Sequence, residues 1–315
     1  MRHMSRLAVG IVLSVGWVAV PSASGSTVSN GLIAFSTHFV LPFGDRGVGA
    51  QIFTVTPNGG APHQLTHVSS DQDAAAPSWS PSGARIVYES DVTGDMQIWT
   101  MRADGSNQHL LFRDRGWDDF TPHYSPDGSR VVFARCNSSL FYCTIATISA
   151  AGGSLHVLTG GHWVDADPTF SPSGRWIAFD SSRGGYLSAV WVMTASGQKL
   201  HRLTAPRLEA FWPSWSPDGT HIAFTRDCCL PFSQVFVMDS NGANVLQLTH
   251  VPLPHQAGFA SYSPDGQKLV LISDLAYPNQ DGNDIYTVNA STGQGLTRVT
   301  RTQPDAVLSS WGPQR

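Results

Sequence analysis

A short phrase recurs along the chain at near-constant spacing and constrains its architecture more than any other feature. It reads Trp79-Ser80-Pro81-Ser82-Gly83, Tyr124-Ser125-Pro126-Asp127-Gly128, Phe170-Ser171-Pro172-Ser173-Gly174, Trp215-Ser216-Pro217-Asp218-Gly219 and Tyr262-Ser263-Pro264-Asp265-Gly266, with a truncated last copy, Trp311-Gly312-Pro313. Successive prolines stand 45, 46, 45, 47 and 49 residues apart. A unit of that size cannot bury its own apolar face and must stack on its neighbours. A period of about 40 to 50 residues built from short strands predicts β-propeller blades.

Each repeat resolves into four strands. The first ends in the aromatic residue. The Ser-Pro-Asp-Gly turn follows, in which Pro presets φ, Asp hydrogen-bonds its own backbone and Gly accepts positive φ. The second strand is apolar and rich in β-branched residues, as in Arg130-Val131-Val132-Phe133 and His221-Ile222-Ala223-Phe224. The third repeats as Gln97-Ile98-Trp99-Thr100-Met101 and Gln234-Val235-Phe236-Val237-Met238, and the fourth ends in Leu-Thr or its equivalent, as in Leu203-Thr204. No stretch after residue 26 shows a sustained helical period.

The two ends complete one unit between them. Residues 31–66 supply a second, third and fourth strand but no first, whereas residues 308–311 supply a first strand with nothing after it. The expected fold is therefore all-β: a six-bladed propeller with four-stranded antiparallel blades, closed by the C-terminal strand joining the N-terminal blade. That pairing removes an open sheet edge. The repeated aromatics are expected to fill the space between blades.

Composition narrows the partners. The chain has 315 residues and a formal net charge of −4. Without the first 25 residues it has 17 basic and 23 acidic side chains, a balance of −6. Nucleic acid and anionic membrane both favour a basic face, so neither is expected. Arg2, His3 and Arg6 precede an apolar run at 7–20 and then Ser22-Ala23-Ser24-Gly25, the order of a secretory signal peptide. Residues 1–25 are read as that signal, cleaved after Ala23 or Gly25, and 26–315 as the propeller, secreted or in the periplasm or cell envelope. The apolar run is short for a membrane span. Export makes disulfides reasonable. Cys136 and Cys143 could staple a hairpin. Cys228 and Cys229 are adjacent, and free thiols or a bridge between the two loops remain open.

These motifs resemble the TolB-type propeller, whose repeat reads Pro-x-Trp-Ser-Pro-Asp-Gly, then Ile-Ala-Phe, Ile-Tyr-Val-Met and Leu-Thr. The resemblance spans residues 31–313. It implies the fold and not an activity, because such propellers serve as receptors, scaffolds and accessory domains of peptidases. TolB itself carries an α/β domain before its propeller. Here the repeat begins at Leu32, so the resemblance is read as the propeller domain alone. No Gly-x-Ser-x-Gly elbow is present.

Site candidates come from the longer, more varied loops on the rim opposite the Ser-Pro-Asp-Gly turns, at 36–50, 135–143, 226–234, 250–259 and 273–283. Aromatics crowd this side: Phe39, Phe43, Trp117, Phe120, Trp163, Phe211 and Trp212. They are the expected ligand surface, with burial between blades as the alternative. His123 stands where the other repeats have Ser or Thr (Ser78, Thr169, Ser214, Ser261, Ser310), and with His162 it joins the candidate site. Acidic residues precede the first strands: Asp71, Asp73, Asp118, Asp119, Asp165, Asp167 and Glu209. They could form an anionic funnel or hold Ca²⁺ or another divalent cation, with Asp165 and Asp167 the named ligands. Alternatively each accepts backbone N–H groups locally. Residues 279–283, Asn-Gln-Asp-Gly-Asn, faintly resemble a calcium loop and are read as a hairpin turn.

The expected function is an exported, monomeric, non-catalytic binding or scaffold module for a protein, peptide or cell-envelope glycan, with no cofactor. The alternative is a metal-assisted lyase or hydrolase of a glycan or lactone, using His123, His162 and the Asp series at the channel mouth.

Overall fold

The computed structural model describes residues 30–37, 49–113, 115–185, 187–205, 209–229, 232–277, 282–301 and 305–314. The export segment expected at 1–25, rim residues Phe39 and Phe43, and residues 279–281 lie outside the described residues. So do the side chains of Cys228 and Cys229.

The described residues form six four-stranded antiparallel sheets. Five follow the chain order of the five complete repeats, beginning with the first strands Ala74–Trp79, Asp118–Tyr124, Asp165–Phe170, Ala210–Trp215 and Ala257–Tyr262. The sixth is shared. The C-terminal strand Ala306–Pro313 lies beside Asn30–Thr37, followed by Ile52–Val55 and His63–Gln64. Its register pairs Ile33 with Trp311 and Ala34 with Ser310. The Trp311 indole N–H donates to the Gly31 carbonyl at 3.1 Å. The expected closure between head and tail is thus present.

The repeated phrase has a local cause. In the second blade Ser125 donates to Asp127 at 2.5 Å and accepts the Arg130 N–H at 2.9 Å, while Asp127 accepts the Ser129 N–H at 3.0 Å. The hydrogen bonds from Ser125 and then Ser129 hold the Asp127 carboxyl down at about 2. Gly128 completes the turn at φ 70°. The Leu-Thr ending has a different role. Its Thr hydroxyl accepts a backbone N–H of the third strand, from Ile145 to Thr159 at 2.8 Å and from Val235 to Thr249 at 2.9 Å. Its Leu carbonyl lies under the third-to-fourth turn of the next blade. A Cβ on Gly197 would stand 2.7 Å from the Leu158 oxygen, at φ 79° where side chains are already disfavoured.

The core is divided into layers between blades. One buried cluster joins Ile33, Phe35, Trp311, Ala76, Val270 and Ile285, from the fifth, sixth and first blades. Ring closure is therefore a burial event as well as a strand pairing. No described helix is long and apolar enough to cross a membrane.

Candidate functional site

The first strands of the blades line the central channel, and all six bulge at the same place. The bulged residues are Ala76, Thr121, Asp167, Trp212, Phe259 and Leu308, with φ between 45° and 58°. The pairing register slips around each of them. Left-handed backbone at a non-glycine residue costs about 1 kcal/mol or more and persists only where the surroundings fix it. Hydrogen bonds from the previous blade do so. The Thr121 N–H donates to Glu89 at 2.6 Å, Trp212 to Asp180 at 3.3 Å and Phe259 to the Thr225 hydroxyl at 2.7 Å. Glu89, Asp180 and Thr225 hold one repeat position on their second strands. The equivalent residue facing Asp167 is Ala134, which has no acceptor side chain.

Five of the bulged residues, all but Phe259, line a cavity of about 70 Å³. Thr121, His123 and Asp167 line one side, and Trp212, Ala260 and Leu308 the other. Trp212 meets Phe259 edge-on at 5.2 Å between ring centres. Ser78, His123, Thr169, Ser214, Ser261 and Ser310 continue the lining toward the Ser-Pro-Asp-Gly face. Because each first strand runs from the long-loop rim to that face, the bulged layer lies on the rim side. His123 does occupy the Ser/Thr position of the repeat, and it faces the channel. Its Nδ1 lies 3.0 Å from the Tyr124 carbonyl oxygen. Desolvation pushes its pKa down, so the ring is held neutral.

Asp167 and Asp180 hydrogen-bond through their carboxyls. Burial, then the charge of Asp180, pushes the Asp167 pKa well above 3.8. Burial also raises Asp180, which accepts from Asp167 and from Ser188 at 2.8 Å. The proton therefore stays on Asp167. Farther toward the rim, burial and the charges of Asp227 and Asp180 raise Glu209. Glu209, Asp227, Asp180, Asp167 and Glu89 thus form an electrostatically linked series leading into the channel.

Of the other expected acids, Asp71 is exposed and the rest are engaged elsewhere. Asp73 accepts the Ala50 N–H at 3.0 Å and Asp118 the Met96 N–H at 3.1 Å, latching each blade to the one before. Asp119 pairs with Arg135 at 3.7 Å. Asp165 and Asp167 do not form the expected common metal site. Asp165 is ion-paired with Arg183 and accepts from Ser181, while Asp167 turns to Asp180. Among the described residues no three His, Cys, Asp or Glu side chains converge as a cation cage. His123 and His162 are also separated, one in the channel and the other on the exposed rim.

The expected aromatic surface divides by burial. Phe120 is 1% exposed and packs against Ala134 and the disulfide, so its ring is not offered to a ligand. Phe211 sits over Phe259 at 5.7 Å, near the channel wall. Trp117, Tyr142 and His162 form an edge-to-face chain, with ring centres 5.9 and 5.8 Å apart. The Arg135 guanidinium caps Trp117 at 4.7 Å. Trp163 is 42% exposed beside this chain in sequence, and Phe141 is 68% exposed at the tip of the neighbouring hairpin. A Cys136–Cys143 disulfide closes that hairpin. Its Cys143 N–H donates to the Trp163 carbonyl at 3.0 Å, which ties the second blade to the entry of the third. Sequence reading missed Tyr142, Phe259, Glu89 and Asp180. The last two lie on second strands, where their polarity within an apolar run was the available signal.

The PD40 family, described as the TolB beta propeller domain, matches residues 36–186. The chain carries a TolB-like six-bladed β-propeller. An uncharacterized protein of Agrobacterium fabrum, Atu1656, is 31% identical over 137 residues, covering 41% of this chain and 46% of that protein. The Tol-Pal system protein TolB of Francisella tularensis is 31% identical over 105 residues, covering 33% of this chain and 24% of that protein. The chain thus spans less than half the length of these curated relatives. The crystal structure of TolB from Acinetobacter baumannii superposes with a TM-score of 0.72 at 20% identity, over 90% of this chain and 67% of that one. Identity at that level speaks for the fold alone.

Proposed function

We propose that this TolB-like propeller is an exported binding module whose long-loop rim holds an extended polypeptide segment. The edge-to-face chain of half-buried Trp117 and Tyr142 with exposed His162, flanked by exposed Phe141 and Trp163, carries this reading. Exposed, pre-ordered aromatic rings give large contact area at small entropic cost and are typical anchors of binding sites. The disulfide and the Cys143–Trp163 backbone bond hold the elements that bear them. The rim remains available while the repeats maintain the ring. The N-terminal order of charged, apolar and small residues supports export.

A test is to measure binding of the secreted form to arrays of extended peptides and of cell-envelope glycan fragments, for wild type and the Trp117→Ala, Trp163→Ala pair. Peptide binding weakened about ten-fold or more by the pair is expected. Glycan binding alone would assign the rim to carbohydrate. Binding unaffected by the pair would remove the rim from the function.

A further inference from the structure

The channel offers a chemistry distinct from that of the rim. Asp167 lines one wall with Asp180 hydrogen-bonded behind it, Trp212 lines another, and Glu89 holds the bulged backbone of Thr121. Beyond them Asp227 and Glu209 extend the acidic series toward the long loops. The carboxyl pair alone could be a construction element, because Asp180 also supports the Trp212 bulge. Two serines in the same cavity point further. Ser78 is 4% exposed and Ser309 is 6% exposed, both line the cavity, and their hydroxyls have no hydrogen-bond partner among the described residues. Buried hydroxyls are normally satisfied, and leaving one without a partner costs about 1–3 kcal/mol. Acceptors from several blades therefore converge on a space that the protein's own donors do not fill.

We infer that this chamber is a subsite for one organic cation, an alkylammonium or guanidinium group carried by a lysine or arginine side chain or by a peptide's free amino end. The subsite rests on the reading of the rim as a polypeptide-binding surface and specifies which part of that ligand enters the channel. An ammonium group brings three donors and a guanidinium five. The Asp167 carboxyl and the Ser78 and Ser309 hydroxyls line the chamber as acceptors, and Asp180, hydrogen-bonded to Asp167, adds negative charge behind it. The Trp212 ring supplies an aromatic face, which attracts a desolvated cation. The apolar residues Leu308 and Ala260 suit the methylene stem behind such a head. The acidic series between rim and chamber favours a cation along the way in.

The test uses n-butylammonium and its uncharged analogue n-pentanol as probes, with the ¹⁵N-labelled Trp212 indole signal as the readout. Butylammonium is expected to shift that signal saturably, with an affinity about ten-fold or more above that of pentanol. In the Asp167→Asn, Asp180→Asn double variant that preference should disappear while pentanol binding persists. If the double variant does not fold, the comparison of the two probes on wild type still decides. Equal affinity for both probes would overturn the inference. So would a response to calcium chloride without one to butylammonium, which would make the chamber a metal site. Neither probe is large enough to span from the chamber to Trp163. Failure here with intact peptide binding at the rim would remove the cation subsite alone, and loss of rim binding with an intact butylammonium response would remove the rim reading alone.

Discussion

The Asp167 carboxyl hydrogen-bonds the Asp180 carboxyl, and burial keeps the shared proton on Asp167. Folding therefore retains a proton that the unfolded chain releases near its ordinary value of 3.8. Stability must fall as pH rises from that value toward the folded one, because the unfolded state binds fewer protons in that window. Asp167→Asn supplies the donor without the titration. It should stabilise the protein at pH 7 by an amount on the order of 1–2 kcal/mol and flatten this part of the stability curve. Urea unfolding between pH 4 and pH 8 measures it. A variant curve parallel to wild type would contradict the shared proton.

His123 titrates in the opposite sense. Desolvation depresses its pKa below 6.5, so the unfolded chain takes up a proton before the folded protein does. Stability is then lost as pH falls from 6.5 through the folded value. His123→Ser, the residue of the equivalent positions Ser78 and Ser214, should remove that acid-side loss and leave stability at pH 8 within about 1 kcal/mol of wild type. Thermal melts at pH 5 and pH 8 supply the comparison. An acid-side loss of the same size in the variant would place its origin elsewhere.

Trp311 contributes to closure twice, through the core cluster with Ile33 and Phe35 and through its bond to Gly31. Trp311→Ala should destabilise by about 3–5 kcal/mol, the range for truncating a large buried aromatic. Loss of less than about 1 kcal/mol in denaturant unfolding would mean that the shared blade is not needed to hold the ring.

The disulfide encloses a short loop, with a sequence separation of 7. On the chain-entropy model, replacing both Cys136 and Cys143 by Ser should cost about 2–3 kcal/mol. It should also loosen the hairpin that carries Phe141 and Tyr142. Unfolding of wild type with and without reductant checks the first effect, and peptide affinity of the variant checks the second. Full affinity in a destabilised variant would separate the rim from its staple.

Much of the fold was legible because each repeat carries its own instructions. Ser125, Asp127 and Gly128 build a turn from neighbours within a few residues, and Thr159 ties its strand to the one beside it. The missing strand of the first unit and the surplus strand of the last complement each other in the sequence alone. The candidate site was legible only in part. His123 stood out as a departure from the repeat, and Trp117, His162 and Trp163 were found on the rim. Phe120 has the same composition-level signal and is buried, because strand alternation and the adjacent bulge turn it inward. Asp165 and Asp167 are two residues apart, yet one meets Arg183 and the other Asp180.

The sequence by itself determined the period, the turns, the number of blades and the way the ring closes, since all of these depend on local hydrogen bonding or on a pattern repeated at fixed spacing. Only the tertiary structure decided which acids latch blades, which pair shares a proton and which aromatics remain in water. Those outcomes depend on what the preceding blade presents across the seam, Ala134 at one position and Asp180 at the next, and desolvation there is a property of the assembled ring.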